Sequence, residues 1–318
     1  MSILITGSSG YFGRLVAGDL ISAGRRVAGI DIKENPWITA GEQFRFFNCC
    51  ITDRRSLSRI FREVQPTTVI HFACSFNKVR DRKKEYEIDV AGSHNVMELC
   101  NETLSVRKLI YSSSAAIYGA CRSNGSWLSE TAVVNPGKYR YGINKKLIEH
   151  DLFTFVKRKD LQVISLRICT VVGPEYCKPR SVVSILLCLP FLPGSFHDKK
   201  VQFLHESDFV NLIRRVADDP EIEGVYNLAA DSCSVVGELL PGKRYVDFPV
   251  HALRPILWIL WNLRILNLQP CSLSYSLYPV LIDPSKIRSR YGYSYNYTSS
   301  EALSDTMRNN KLPAGTLF

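Results

Sequence analysis

Nowhere in its 318 residues does the sequence space two cysteines as Cys-x-x-Cys, and it has neither another zinc-like pattern nor an arginine-rich arm. Structural zinc sites and the commonest nucleic-acid-binding modules lose their support from these absences. No basic n-region or cleavage site precedes the first apolar run, Ser2-Ile3-Leu4-Ile5, so no secretory signal is expected. The least ordinary apolar stretch, 252–268, is too short and too interrupted by Arg254, Asn262 and Arg264 to make an integral membrane segment. Internal repeats, low-complexity runs and long linkers are also missing.

What is present describes an ordinary globular chain: 46% apolar and 22% charged residues, long enough to bury a substantial core. The net charge of +10 asks for an acidic partner. Its basic pairs are scattered, with one denser run at 78–84, so a small anionic ligand fits better than nucleic acid, beside the plain reading of a solvated basic surface. Ten cysteines in apolar or strand-like runs read as buried thiols of a reducing, cytoplasmic compartment.

Two local patterns carry chemistry. The first is Thr6-Gly7-Ser8-Ser9-Gly10-Tyr11-Phe12-Gly13, between an apolar strand and a helix-like stretch reaching about Ala23. Its glycines permit a tight turn, close approach of backbone to a pyrophosphate, and packing of helix on strand. A second strand, 26–30, ends at Asp31, placed to accept hydrogen bonds from an adenosine ribose and so favouring NAD; Lys33 keeps NADP open. The second pattern is Tyr141-Gly142-Ile143-Asn144-Lys145, which puts phenol and ammonium on one helix face. At about 4 Å and an effective dielectric near 20, their attraction is worth ~4 kcal/mol before desolvation, enough to turn a phenol into a base near working pH. Tyr139 is excluded as that base, because Ile143 stands four residues on.

Between these patterns strands and helices alternate: strand 44–47, helix 53–64, strand 67–73, helix 84–101 and strand 108–112. Such alternation indicates a Rossmann-type, doubly wound α/β fold with a parallel sheet. We expect a nucleotide-binding domain over 1–174, with a return of the chain at 201–230, and a mainly substrate-binding region over 175–318.

Taken together, these residues resemble the extended short-chain dehydrogenases/reductases, the NAD-dependent epimerase/dehydratase family. The resemblance runs from Ile3 to about Ala230. It includes the glycine motif, His71-Phe72-Ala73, the run from Ser113 to Gly119, Tyr141/Lys145, Leu166-Arg167 with Gly173-Pro174, and the stretches 201–210 and 224–229, which look like the family's last core strands. It implies an oxidoreductase or epimerase that moves hydride between a secondary alcohol or ketone and nicotinamide. Ser114 would be the catalytic hydroxyl, Tyr141 the base and Lys145 the cation. Gly7, Ser9, Gly10, Tyr11, Phe12, Gly13, Asp31, Cys50, Ile51, Phe72, Ala73, Tyr141 and Lys145 would surround the cofactor. The partner it implies is a small-molecule substrate, and homodimers are common in the family. His71 and His205 read as structural histidines.

Departures narrow the reaction. Ala115-Ala116 stands where the family's dehydratases carry an Asp-Glu pair, which disfavours expulsion of water. Cys50 replaces an aspartate that holds the adenine amino group, with Asp53 three residues later; Asp89 replaces a helix asparagine; Thr170 replaces an asparagine near the diphosphate of nucleotide sugars. After Pro174 come an apolar helix-like stretch at 181–189, the apolar 252–268, and two short helices at 283–290 and 299–309. The stretch 252–268 admits three readings: a helix closing the core, a wall over a hydrophobic substrate, or an interfacial membrane contact. A nucleotide-sugar epimerase, a hydroxysteroid-dehydrogenase-like enzyme and a non-catalytic nucleotide-binding protein are the alternatives to general oxidoreduction.

Overall fold

A computed structural model of the chain describes residues 2–34, 38, 41–76, 79–124, 127–156, 158–176, 189–247, 249, 252–263, 265 and 269–309. The stretch expected as a helix at 181–189 lies, but for Leu189, outside the described residues. Contacts divide the chain into two compact units. One comprises Met1–Ser114, Asn144–Arg167 and Val210–Tyr226; the other comprises Ala115–Ile143, Ile168–Phe209 and Asn227–Phe318.

The first unit is built on β1 (Ser2–Thr6), β2 (Arg26–Asp31), β3 (Phe44–Asn48), β4 (Thr68–His71), β5 (Lys108–Ser114), β6 (Gln162–Ile168) and β7 (Gly224–Leu228). They form one sheet in the order β7-β6-β5-β4-β1-β2-β3. β1 pairs in parallel with both β2 and β4, so the strand order reverses direction beside β1. Ligands of open α/β sheets bind outside the strand ends at such a switch point. Ile3, Leu4 and Ile5, and likewise Val69 and Ile70, are buried on both faces, which is why these strands read as continuous apolar runs.

The crossovers are α1 (Tyr11–Ser22), α2 (Arg54–Val64), α3 (Arg82–Tyr86) running through a π-helical turn (Glu87–Ala91) into α4 (Gly92–Glu102), and α5 (Arg140–Phe155). α2 buries Leu57, Ile60 and Phe61 and is capped by Asp53, whose side chain accepts from Ser56 N. Asp53 is thereby committed to a helix terminus, and that hydrogen bond holds its carboxyl below the usual carboxylate range.

One stretch departs from expectation. Within 201–210 strand is confined to Val201, the end of a two-residue strand, and Phe203–His205, paired with Thr170–Val172, and the helix α6 (Glu206–Asp218) then begins. Glu206 and Asp208 in its first turn favour a helix start through the macrodipole. The far end of α6 is closed by a buried lysine: Lys108 Nζ donates to the carbonyls of Val216, Ala217 and Asp219, at 2.9, 2.9 and 2.5 Å. Three carbonyls that a helix end would leave open are so satisfied by one cation.

The second unit has small strand pairs, Phe191–Pro193 with Arg244–Val246 and Lys200–Val201 with Ser234–Val235, around Leu192, Val236 and Leu240. Asp208 accepts from Tyr293 Oη, Asn296 N and Tyr297 N. The helix α7 (Leu253–Asn262) belongs to this unit but buries none of its residues, so the reading of 252–268 as a helix closing the core does not hold there. Short helices at Ser285–Tyr291 and Ser299–Asn309 match expectation. Among the described cysteines Cys49, Cys100 and Cys169 are buried as expected, whereas Cys121, in the turn after Gly119, is exposed.

Candidate active site

The turn between β1 and α1 depends on glycine at two places. Gly7 has φ +72°, and a Cβ there would stand 2.7 Å from Ala73 N, next to β4. A Cβ on Gly13 would stand 2.1 Å from Gly7 O, so α1 packs on its own turn only without a side chain. α2 has a side-chain cap, but none closes α1, and no acid lies in its first turn. Its N-terminal amides therefore fit an anionic group, as a pyrophosphate requires. Asp31, at the end of β2, accepts from Ser9 N at 3.0 Å and Lys33 N at 3.2 Å, while Ser9 Oγ donates to Lys33 O. A fixed carboxylate there suits a ribose diol and repels a 2′-phosphate. Phe12 meets Phe72 edge-on at 5.9 Å, and Tyr11 lies 5.6 Å from Phe12.

Behind this cradle a chain of hydrogen bonds links β1, β4 and the π-turn. Ser93 Oγ donates to Asp89 O at 2.5 Å, so its oxygen receives a proton from His71 Nε2 at 2.8 Å. His71 Nδ1 is then the acceptor for Thr6 Oγ1 at 2.6 Å, and Thr6 Oγ1 accepts in turn from Ala73 N. The imidazole is neutral in this arrangement. Burial, aided by the Lys145 charge, pushes its pKa down to about 3. His71 is thus the structural histidine the sequence suggested, and His205 likewise bonds Ser207 and Asp305 and stacks on Tyr297.

Lys145, buried in α5, donates to Ser112 O at 2.5 Å and lies 4.7 Å from the Tyr111 ring centroid. Its ammonium is therefore anchored at the carboxyl end of β5, whose last residue is Ser114. One residue earlier in α5, Asn144 donates to Asp89 Oδ2 at 3.3 Å. Asp89 also accepts from Ser75 N at 2.6 Å and Ser75 Oγ at 3.0 Å, tying the loop after β4 to the π-turn. Tyr141 occupies the first turn of α5, and Gly142 beside it has a reason: a Cβ there would meet Pro136 at 2.7 Å and Ala116 O at 2.8 Å. Ala116 O also accepts from Tyr275 Oη at 2.7 Å, and the Tyr139 ring lies between those of Tyr141 and Tyr275, at 5.8 and 5.2 Å.

Of the residues singled out in the sequence, those from Gly7 to Gly13, Asp31, Phe72 and Ala73 gather at the ends of β1, β2 and β4, and Ser114 and Lys145 at the end of β5. Cys50 and Ile51 follow β3; the Cys50 thiol contacts Thr52 Oγ1 at 3.0 Å, and Ile51 O accepts from Asn95. Asn144 and Ser75 escaped sequence reasoning. The place of Asn144, directly before Lys145, was the available signal; Ser75 offered none.

The sequence profile of the NAD dependent epimerase/dehydratase family matches residues 3–229. Among curated proteins, the uncharacterized protein Rv0501 of Mycobacterium tuberculosis is 24% identical over 262 residues, 79% of this chain and 68% of that protein. A UDP-glucose 4-epimerase of Yersinia enterocolitica is 32% identical over 186 residues, 54% of each chain. Among solved structures, Bordetella bronchiseptica WbmG in complex with NAD superposes with a TM-score of 0.76 at 21% identity, covering 100% of this chain and 96% of that one. The Thermotoga maritima UDP-glucose 4-epimerase with UDP-glucose gives 0.75 at 22%, covering 97% and 98%. At such identities the superpositions speak for the fold, and the profile for the family. With its glycine cradle, its fixed Asp31 and its anchored Lys145, this chain belongs to the NAD dependent epimerase/dehydratase family of enzymes, whose cofactor is NAD.

Proposed function

We propose that the chain is an NAD-dependent nucleotide-sugar epimerase. The observation that carries this reading is the Lys145 ammonium, anchored on Ser112 O at the end of β5 and one helical turn beyond Tyr141. NAD, when bound, supplies the capacity to take up and return a hydride. The chain's own groups supply the rest. Ser114 donates a hydrogen bond to the sugar oxygen that reacts. Tyr141, one helical turn before the Lys145 ammonium, would act as the base that takes the proton of the reacting hydroxyl and later returns it. The cradle formed by Gly7, Ser9, Gly10, Tyr11, Phe12 and Gly13 holds the pyrophosphate and Asp31 the ribose; Phe72, Ala73, Cys50 and Ile51 complete the cofactor's surroundings.

Epimerisation is favoured over dehydration because Ala115 and Ala116 offer no acid or base, and the Ala116 carbonyl is already occupied by Tyr275. A nucleotide-linked sugar is favoured over a free apolar alcohol by the UDP-glucose 4-epimerases among the relatives. The test is direct: the purified protein is expected to retain NAD by mass spectrometry and to interconvert epimeric UDP-sugars with no net nicotinamide absorbance. Tyr141→Phe should lower kcat by about 100-fold or more. Stoichiometric NADH formation from alcohols lacking a nucleotide, or a fully active Tyr141→Phe, would overturn the reading.

A further inference from the structure

Among the described residues, helix α7 is strongly apolar and buries none of its side chains. Ile256 is 44% exposed, Trp258 60%, Ile259 50% and Leu263, just past its end, 64%. At 100° per residue these side chains, with Pro255 and Asn262, occupy one continuous half of the helix surface, and Arg254 stands at its margin beside Trp258. Leu257, Leu260 and Trp261 fall on the other, half-buried half. The helix is apolar on both halves: its all-apolar inner half is partly covered, and its outer half, apolar but for Asn262 and the marginal Arg254, is left open.

Charge says what covers it. No aspartate or glutamate occurs between Asp247 and Asp283, while His251, Arg254 and Arg264 fall inside that stretch and the chain as a whole carries +10. A two-fold pairing with a second copy would set this acid-free face against itself, cation on cation. An anionic lipid surface complements it, with phosphate headgroups for Arg254, the headgroup level for Trp258, and the acyl boundary for Ile256, Ile259 and Leu263. Ten residues of helix reach about 15 Å, half a hydrocarbon core, and among the described residues no helix is long and apolar enough to cross a membrane. Lying in the interface is the geometry left. We propose that α7 docks the protein on anionic membrane surfaces, independently of the reaction proposed above.

Flotation of the full chain with vesicles tests this. Vesicles of phosphatidylcholine containing phosphatidylglycerol should carry the protein upward, less so at high salt, with a blue shift of tryptophan emission; vesicles of phosphatidylcholine alone should not. Ile259→Asp and Trp258→Ser should abolish co-flotation, and Arg254→Glu should weaken it about fivefold or more, all with unchanged NAD retention. Four results would overturn the proposal: no flotation with the anionic vesicles, equal flotation with phosphatidylcholine alone, undiminished flotation of the variants, or conversion of a dimer to a monomer by Ile259→Asp in sedimentation velocity. The last would assign the face to a second copy of the chain.

Discussion

Asp89 and His71 show how single buried side chains fix the surroundings of Lys145. Asp89 receives three donors, Ser75 N, Ser75 Oγ and Asn144 Nδ2, and a carboxylate has the lone pairs to accept them all. An amide in its place would turn an NH2 group toward other N–H groups. Asp89→Asn, a change toward the residue common in the family, is therefore expected to destabilise the protein by ~2 kcal/mol in urea unfolding. It should also lower kcat more than it raises KM, since Asn144 adjoins Lys145. His71 makes a prediction about pH. Its pKa is about 3 in the fold against an ordinary value of 6.5, so between those values the unfolded chain binds a proton that the folded one does not. Stability is then complete above about pH 6.5 and declines as pH falls toward 3, with a limiting slope of ~1.4 kcal/mol per pH unit. His71→Gln should flatten that slope in urea titrations between pH 7 and 4, even if it lowers stability throughout. An unchanged slope would assign the acid sensitivity to other groups.

Among the elements, α5 carries the sharpest constraint. Its first turn bears Tyr141 and its second Lys145, and the helix can start where it does only because Gly142 leaves room for Pro136 and the Ala116 carbonyl. Gly142→Ala adds one methyl group against backbone that is also held by Tyr275. The expected cost is ~1–3 kcal/mol of stability, and kcat should fall by about tenfold or more through displacement of Tyr141. NAD affinity, set by the turn before α1, should change little. Isothermal titration with NAD beside steady-state assays separates the two effects, and equal losses in both would contradict this division of labour. Deeper in the helix, Glu149 accepts from Arg167 at 2.6 Å and from Ser165 Oγ at 2.7 Å, a buried pair that ties α5 to β6.

For the molecule as a whole, the sequence disclosed what is local and concealed what is distant. The glycine turn, Asp31 and the Tyr141/Lys145 spacing each fit within one turn or one strand–turn–helix unit, so their residue types state their geometry. Strand and helix alternation gave the parallel sheet for the same reason. Ser75 with Asp89 and Asn144, or Glu149 with Arg167, meet only once the sheet has formed, and nothing in the neighbourhood of each names the other. The stretch 201–210 misled because its apolar residues suit a strand, whereas the acids Glu206 and Asp208 start a helix three residues after the strand begins. Helix α7 misled more deeply: leucine, isoleucine and tryptophan surround it, and such a run looks the same whether both of its halves are covered or only one. Only the exposure of Trp258 and Ile259 separates the two.

Lys108 sets an order of events for synthesis at the ribosome. The lysine emerges early, in β5, yet the carbonyls that receive its charge belong to residues 216, 217 and 219. Until those residues leave the ribosome, burying β5 would strand an ammonium without acceptors, at a cost of several kcal/mol. The sheet that holds the nucleotide cradle is therefore expected to close only after residue 219 has been made, and a nascent chain stopped soon after Pro174 would still lack the carbonyls that receive this charge.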